Sequence, residues 1–262
     1  MTILICGCGN MGGAMLAGWL AAGLDPARFT VVDPVLAEAP AGVRLLRAVP
    51  DERFDVVLLG IKPQALPEVA PDLAPATRGA VVLSILAGAE LATLAAAFPQ
   101  AAGLVRVMPN LAAAIGKSPM GLFAQGLDNA GMAAIAALVA PLGTAEWLAA
   151  EEQLDAVTAL AGSGPAFVYR FIAALAEGGA ALGLDPAQAD RLARAMVDGA
   201  AALAAQSAEE PAELARRVTS PGGTTAAGLA VLDADGAFAA LVAATLKAAR
   251  DRGAELAAAA RG

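Results

Sequence analysis

Short unbroken apolar runs alternate with stretches of helical spacing through the first half of the chain. Residues 2–6 (TILIC) form the first such run and end in glycines. That is the pattern of a strand buried on both faces of a parallel sheet. Residues 11–22 follow with helical character, and Gly23 stands at their end. Further strands are predicted over 29–32, 54–59, 80–86 and 104–108, with weaker ones over 121–124 and 145–148. Pro63 stands where a helix would begin, because its fixed φ suits the first helical position. Strands alternating with helices imply right-handed βαβ units and a parallel sheet covered on both faces. From about Glu151 no β-branched run reaches strand length, and alanine, leucine and charges recur at helical spacing. Asp185-Pro186 opens one helix there and Gly236 separates two others. The pattern predicts an α/β fold with a parallel-sheet domain over 1–152 and an all-helical domain over 153–262. No Pro/Ser-rich linker divides them, so the halves are expected to pack tightly.

Composition narrows the reading. Of 262 residues, 58% are apolar and 16% charged, which excludes an intrinsically disordered chain. With 17 basic against 25 acidic residues the net charge is −8. Such a chain lacks the basic footprint of a nucleic-acid binder or of an anionic membrane surface partner. Only 4% of residues are aromatic, so the core is aliphatic and alanine-rich. A mean hydropathy of +0.64 points to a buried subunit interface, since monomers rarely expose large apolar patches. The uncharged N-terminal stretch over 1–24 is broken by glycines and has no basic residue before its apolar run, unlike a signal peptide. The uncharged run over 129–145 is too short to span a bilayer and contains Pro141 and Gly143. The expectation is a soluble, cytoplasmic protein. Cys6 and Cys8 are the two cysteines; they read as reduced packing residues, with no metal site. The chain has no histidine, which excludes Ser-His-Asp, Cys-His and His-metal chemistry.

Gly7-Cys8-Gly9-Asn10-Met11-Gly12 is a G-x-G-x-x-G loop between a predicted strand and a predicted helix. The first glycine permits the tight turn, the second lets the backbone approach a pyrophosphate, and the third lets helix and strand pack closely. Free N–H groups at the helix start then face the phosphates. This is a Rossmann-type signature; the alternative is an ordinary glycine turn. Asp33 lies 21 residues after Gly12, where the fingerprint places a carboxylate for the adenosine ribose hydroxyls. Pro34 and Val35 follow it, with no arginine to hold a 2′-phosphate, so NADH is the predicted preference over NADPH. The alternative for Asp33 is a solvated turn aspartate.

Five segments in order carry a family resemblance: GCGNMG, Ile61-Lys62-Pro63-Gln64, Arg106-Val107-Met108-Pro109-Asn110, Gly162-Ser163-Gly164-Pro165-Ala166 and Ser220-Pro221-Gly222-Gly223-Thr224-Thr225. Together they resemble pyrroline-5-carboxylate reductase over nearly the whole chain, and the pairing of GSGPA with SPGGTT is the most specific part. The resemblance implies NAD(P)H-dependent reduction of a cyclic imine to L-proline, the last step of proline biosynthesis. It also implies a homodimer through the helical domain, and it allows rings of dimers. It implies that Lys62, Pro63 and Ala87 line the cofactor cleft and that Asn110 sits near the nicotinamide. Two departures stand out. Asn110-Leu111-Ala112-Ala113 stands where family members often have Asn-Thr-Pro-Ala, and Asp33 stands where many members have a neutral residue and a nearby basic one, suited to NADPH.

In residue terms, Pro221-Gly222-Gly223 is a turn before a helix beginning at Thr224. Its open N–H groups make an anion site. Ser220, Gly222, Gly223 and Thr224 would hold the substrate carboxylate, and Thr225 would donate a hydrogen bond to the imine nitrogen, as the family's threonine does. The alternative is a threonine that merely caps a structural helix. Ser163 contacts substrate or caps the helix after it. Tyr169 has Ala173 where a Tyr-x-x-x-Lys mechanism needs lysine, so it reads as packing. Lys117, Lys247 and the Glu209-Glu210-Glu213 cluster read as solvated charges, and Met108, Met120 and Met132 as core. An imine is already electrophilic, so its reduction needs orientation more than acid–base machinery. A β-hydroxyacid dehydrogenase would need lysine and asparagine where Val168 and Ile172 stand. A catalytically silent NAD sensor would have no use for SPGGTT.

Overall fold

The structure, a computed structural model, describes residues 1–259. Its contacts divide the chain into two compact units, Met1–Gly162 with the C-terminal stretch from Ala249, and Ser163–Ala248.

The first unit is built on eight strands: β1 (Ile3–Cys6), β2 (Phe29–Val32), β3 (Arg44–Leu46), β4 (Val56–Leu59), β5 (Val81–Ser84), β6 (Gly103–Met108), β7 (Ser118–Gln125) and β8 (Gly143–Trp147). They form one sheet in the order β3-β2-β1-β4-β5-β6-β7-β8. Strands β1 to β6 are mutually parallel, as the alternating pattern requires. The predicted parallel sheet continues at one edge into an addition, where β7 runs antiparallel to β6 and β8 parallel to β7. Strand β3 was not anticipated. It is three residues long, opens on the exposed Arg44 and lies at the sheet's other edge, so no apolar run announces it.

Alternation along the strands sorts the core into two layers. Ile3 and Ile5 join Met15, Leu16 and Trp19 of α1 (Asn10–Ala21) in one cluster. Leu4 and Cys6 join Leu66, Ala70 and Leu73 of α2 (Leu66–Thr77) and Leu91 and Leu94 of α3 (Leu91–Ala97) in the other. Period-two alternation puts successive side chains on opposite faces, so one short strand anchors both layers. The Trp19 ring lies 5.5 Å from that of Phe29. Its indole N–H donates to the Leu138 carbonyl of α4 (Asn129–Val139) at 2.7 Å, satisfying the buried polar atom. The helix α5 (Gln153–Val157) and the π-helical turn Thr158–Gly162 belong with the sheet, because Leu154 and Ala161 are buried there and the Ala161 carbonyl accepts a bond from Asn110. The units therefore divide at Gly162, beyond the pattern change at 152.

The second unit contains α6 (Gly164–Ala181), α7 (Pro186–Gln206), α8 (Pro211–Arg217), α9 (Thr224–Leu232) and the first part of α10 (Ala237–Ala259). Asp185 caps α7 by accepting from the Ala187 and Gln188 amides. Helix α6 meets α7 where Ala189 and Ala193 are buried. Among the described residues no side chain of α6 or α9 is buried within the chain. Tyr169, expected to pack, is 68% exposed, and Phe171, Leu241 and Val242 are exposed as well. Two helical stretches, Gln153–Ala181 and Thr224–Glu255, are long and apolar enough to cross a membrane by length and composition. Both stretches keep most of their apolar windows unburied within the chain. Met108 and Met120 are core residues as expected, whereas Met132 is only half-buried.

Candidate active site

The glycine loop sits at the carboxyl end of β1. Gly7 has φ of 84°, and a side chain there would run into the Gly60 backbone at 2.8 Å. Gly12 approaches so closely that an added Cβ would lie 2.6 Å from the Gly7 carbonyl oxygen. Gly9 is the N-cap of α1 and offers no side-chain cap. The first intrahelical bond runs from the Gly13 amide to the Gly9 carbonyl at 2.7 Å. The amides of Asn10, Met11 and Gly12 before it are the orphan donors of a helix start. No acidic side chain lies in that first turn, so its positive end is available to an anion. These features fit a dinucleotide pyrophosphate.

A cavity of about 930 Å³ opens at the carboxyl ends of these strands, lined in part by Gly7, Gly9, Asp33, Arg47, Lys62 and Asp72. Of the cofactor residues expected from sequence, Gly7, Gly9, Asp33 and Lys62 line it. Pro63 opens the short helix after β4, and Ala87 is exposed in the turn after β5. Asn110 follows β6 and is buried. Its Oδ1 accepts from the Ala112 amide and its Nδ2 donates to the Ala161 carbonyl, each at 2.9 Å. Its own amide donates to the Ser118 hydroxyl at 2.8 Å. Asn110 thus ties the loop after β6 to the turn that precedes GSGPA, a positioning task that its sequence neighbours did not disclose.

Asp33 is buried at the end of β2. Its Oδ2 accepts from the Cys8 amide at 2.8 Å, and its Oδ1 accepts from the Val35 and Leu36 amides, both at 2.9 Å. Burial raises the carboxyl's pKa, but the three amides and the Arg47 guanidinium outweigh it and hold it below the ordinary carboxylate range. Because the folded value is depressed, the ionised carboxylate stabilises the fold above the unfolded pKa, and that contribution is lost as pH falls through the folded one. Asp33→Asn is therefore expected to lower the urea midpoint at pH 7, with the gap to the parent closing as the pH is taken below 4. A gap that is independent of pH would refute this. Burial, and then the charge of Asp33, push the Cys6 thiol up to about 11. The Cys8 thiol is raised by the same two causes. Both cysteines are free and buried.

Arg47 corrects the sequence reading, which found no arginine near Asp33. Strand β3 pairs with β2 in the register Val32 to Leu46, so the residues following each strand are neighbours. The Arg47 Nη1 donates to the Asp33 carbonyl at 2.8 Å and to the Leu36 carbonyl at 2.6 Å. A second polar cavity of about 210 Å³ includes Glu90, Arg106, Glu151 and Asp155 in its wall. There the buried Arg106 pairs with Glu151 at 2.8 Å, and the same Glu151 oxygen accepts from the Leu91 amide at the start of α3.

The SPGGTT segment lies in the second unit. Gly223 is the N-cap of α9, and its amide donates to the Ser220 carbonyl at 3.0 Å. No side chain caps the helix, which removes the reading of Thr224 or Thr225 as a structural cap. Ser220, Gly222, Thr224 and Thr225 are exposed, and Gly223 is half-buried. Neither threonine hydroxyl has a protein partner among the described residues. The helix start and a free hydroxyl next to it can receive a carboxylate and a nitrogen base together. Ser163 is the N-cap of α6 but likewise makes no side-chain cap bond. Val168 and Ile172 on α6 carry no group able to act as a base.

A parallel sheet, an uncapped helix start on a glycine loop, and a strand-end carboxylate over one cavity define a dinucleotide-dependent oxidoreductase. Comparison with known proteins narrows the class. Residues 151–256 match the family described as pyrroline-5-carboxylate reductase dimerisation, and residues 2–88 match that described as NADP oxidoreductase, coenzyme F420-dependent. The chain is 40% identical to pyrroline-5-carboxylate reductase of Pseudomonas aeruginosa over 264 aligned residues, covering 97% of this chain and 96% of that protein. The solved pyrroline-5-carboxylate reductase of Coxiella burnetii superposes with a TM-score of 0.90 at 30% identity, covering 97% and 98% of the two chains. The enzyme of Plasmodium falciparum, solved with NADP bound, shares the fold at TM-score 0.82 and 22% identity, covering 97% of each chain. The chain belongs to the pyrroline-5-carboxylate reductase family.

Proposed function

We propose that this chain reduces 1-pyrroline-5-carboxylate to L-proline with NAD(P)H, favouring NADH, as a cytoplasmic homodimer. The observation that carries the substrate reading is the uncapped start of α9, with the exposed Thr225 hydroxyl beside it. The amides of Gly223 and Thr224, with Ser220 and Gly222 around them, hold the substrate carboxylate. Thr225 donates a hydrogen bond to the imine nitrogen and orients the ring. The loop from Gly7 to Gly12, through Asn10 and Met11, holds the pyrophosphate, and Asp33 accepts from the adenosine ribose. Lys62, Pro63, Ala87 and Asn110 shape the remainder of the cofactor cleft. The reduced nicotinamide supplies the hydride when bound. A protonated imine is reactive enough that no histidine or other strong base is required.

The apolar helices of the second unit support the dimer. Exposed apolar side chains such as Tyr169, Phe171, Leu241 and Val242 on its helices are covered at low cost by the same unit of a second copy. Arg170 and Glu177 interrupt the first of the two long apolar stretches, and they favour a protein partner over lipid. Rings of dimers would be built on that unit.

Initial rates with the imine and each reduced dinucleotide test the proposal. Turnover with both, faster with NADH, is expected. Turnover faster with NADPH would overturn the role given to Asp33. No turnover with either would overturn the substrate.

A further inference from the structure

We propose that Glu151 is a positioning residue for the hydride transfer: one of its carboxylate oxygens holds the two loops that carry Ala87 and Asn110, at the nicotinamide end of the cofactor cleft. The inference rests on the reading of those two residues as that end.

The Glu151 Oε1 accepts from the Arg106 Nη1 at 2.8 Å and from the Leu91 amide at 2.7 Å. These two donors come from different elements. Leu91 opens α3, four residues after Ala87. Arg106 lies on β6, four residues before Asn110, and stands opposite Ser84, the last residue of β5. Glu151 itself precedes α5 and the π-helical turn, and the Ala161 carbonyl of that turn accepts from the Asn110 Nδ2. A closed circuit results. It runs from Glu151 to β6, along β6 to Asn110, across to the π-helical turn, and back through α5 to Glu151. Moving the carboxylate therefore moves both loops.

The setting makes the pair selective. The Arg106 side chain is 7% exposed and that of Glu151 22%. Arg106 is the one cation in the described wall of the polar cavity there, against the carboxylates of Glu90, Glu151, Glu152 and Asp155. Of these, Glu151 meets both the guanidinium and the α3 amide. A charge-assisted bond is shorter and stronger than a neutral one, and a side chain locked by such bonds holds its surroundings to a narrow range of positions. Hydride transfer depends on that range, because a misplacement of about 1 Å can cost about a hundredfold in rate. Neither Glu151 nor Arg106 lines the larger cavity of Gly9 and Asp33, so the adenosine end lies outside the circuit.

Two substitutions in the full-length protein separate reach from charge. Glu151→Asp keeps the charge and shortens the arm by one methylene. Glu151→Gln keeps the arm and an acceptor oxygen but leaves the Arg106 charge unpaired. Their steady-state rates with 1-pyrroline-5-carboxylate and NADH, thermal midpoints and ADP calorimetry are compared with the parent. Glu151→Asp is expected to lower kcat at least about tenfold, whereas Glu151→Gln stays within about threefold of the parent although its midpoint falls. ADP affinity is expected to stay within about twofold in both, since distant sites act independently. Glu152→Gln, at an exposed carboxylate of the same cavity, is expected to leave all three measurements as they are. A Glu151→Asp protein within about threefold of the parent kcat would overturn the proposal. So would a kcat that falls with the midpoint in both variants, or a loss of ADP binding, since either marks a residue that only holds the fold. A parent protein inactive with the imine would instead overturn the functional reading beneath the proposal.

Discussion

Thr225→Val is expected to lower kcat for the imine about a hundredfold while leaving the thermal midpoint and ADP binding as they are. A hydrogen bond to a group carrying charge is worth about 1.5–3 kcal/mol, and each 1.4 kcal/mol is a factor of about ten in rate. The insensitivity of stability follows from the structure. Thr225 is exposed, it does not cap α9, and its hydroxyl has no protein partner among the described residues. Folding therefore has nothing to lose. Valine keeps the β-branched shape, so α9 is undisturbed, and Thr225→Ser, which restores the hydroxyl, is expected to recover most of the rate. A valine variant within threefold of the parent kcat would remove Thr225 from the mechanism.

Gly12→Val is expected to abolish dinucleotide binding, with ADP affinity falling at least about a hundredfold. The cause is backbone geometry. A Cβ at Gly12 would meet the Gly7 carbonyl oxygen at 2.6 Å, and neither partner is a flexible side chain that could swing aside. The loop must shift away from the start of α1, which breaks the arrangement of open amides that we propose receives the pyrophosphate. Overpacking of this kind also costs about 1–3 kcal/mol of stability, so the melting temperature should drop as well. Gly13→Ala is the control. A Cβ there meets the Cys8 carbonyl oxygen at an ordinary 3.6 Å, and near-parent ADP binding is expected. ADP affinity within fivefold of the parent in Gly12→Val would refute the loop's role.

Much of this site was legible because its logic is local. The strand, glycine loop and helix of residues 3–21 are contiguous in the chain, and each glycine answers to a backbone constraint that its own neighbours impose. The start of α9 after Pro221-Gly222-Gly223 was equally readable, because turn residues and helix start lie within a few positions. What escaped was set by pairing between distant segments. Strand β3 is three residues long and carries an arginine, so no apolar run announced it. Because β3 was missed, Arg47 was missed with it, and Asp33 was judged against Pro34 and Val35 alone. Asn110 was placed by its motif, but its bonds to Ala112 and Ala161 became visible only when the loop met the π-helical turn.

The sequence by itself determined the class of fold, the glycine loop between strand and helix, the turn and helix start around residues 221–224 and the absence of imidazole chemistry. These depend on residue type and short-range spacing, which the chain states directly. Tertiary structure decided the antiparallel edge of the sheet, the packing of 153–162 with the strands, and the charges that surround Asp33. Those depend on which strand ends lie side by side. The parallel register of β2 with β3 brings Asp33 and Arg47 together across 14 positions of sequence, and no local pattern encodes that neighbourhood.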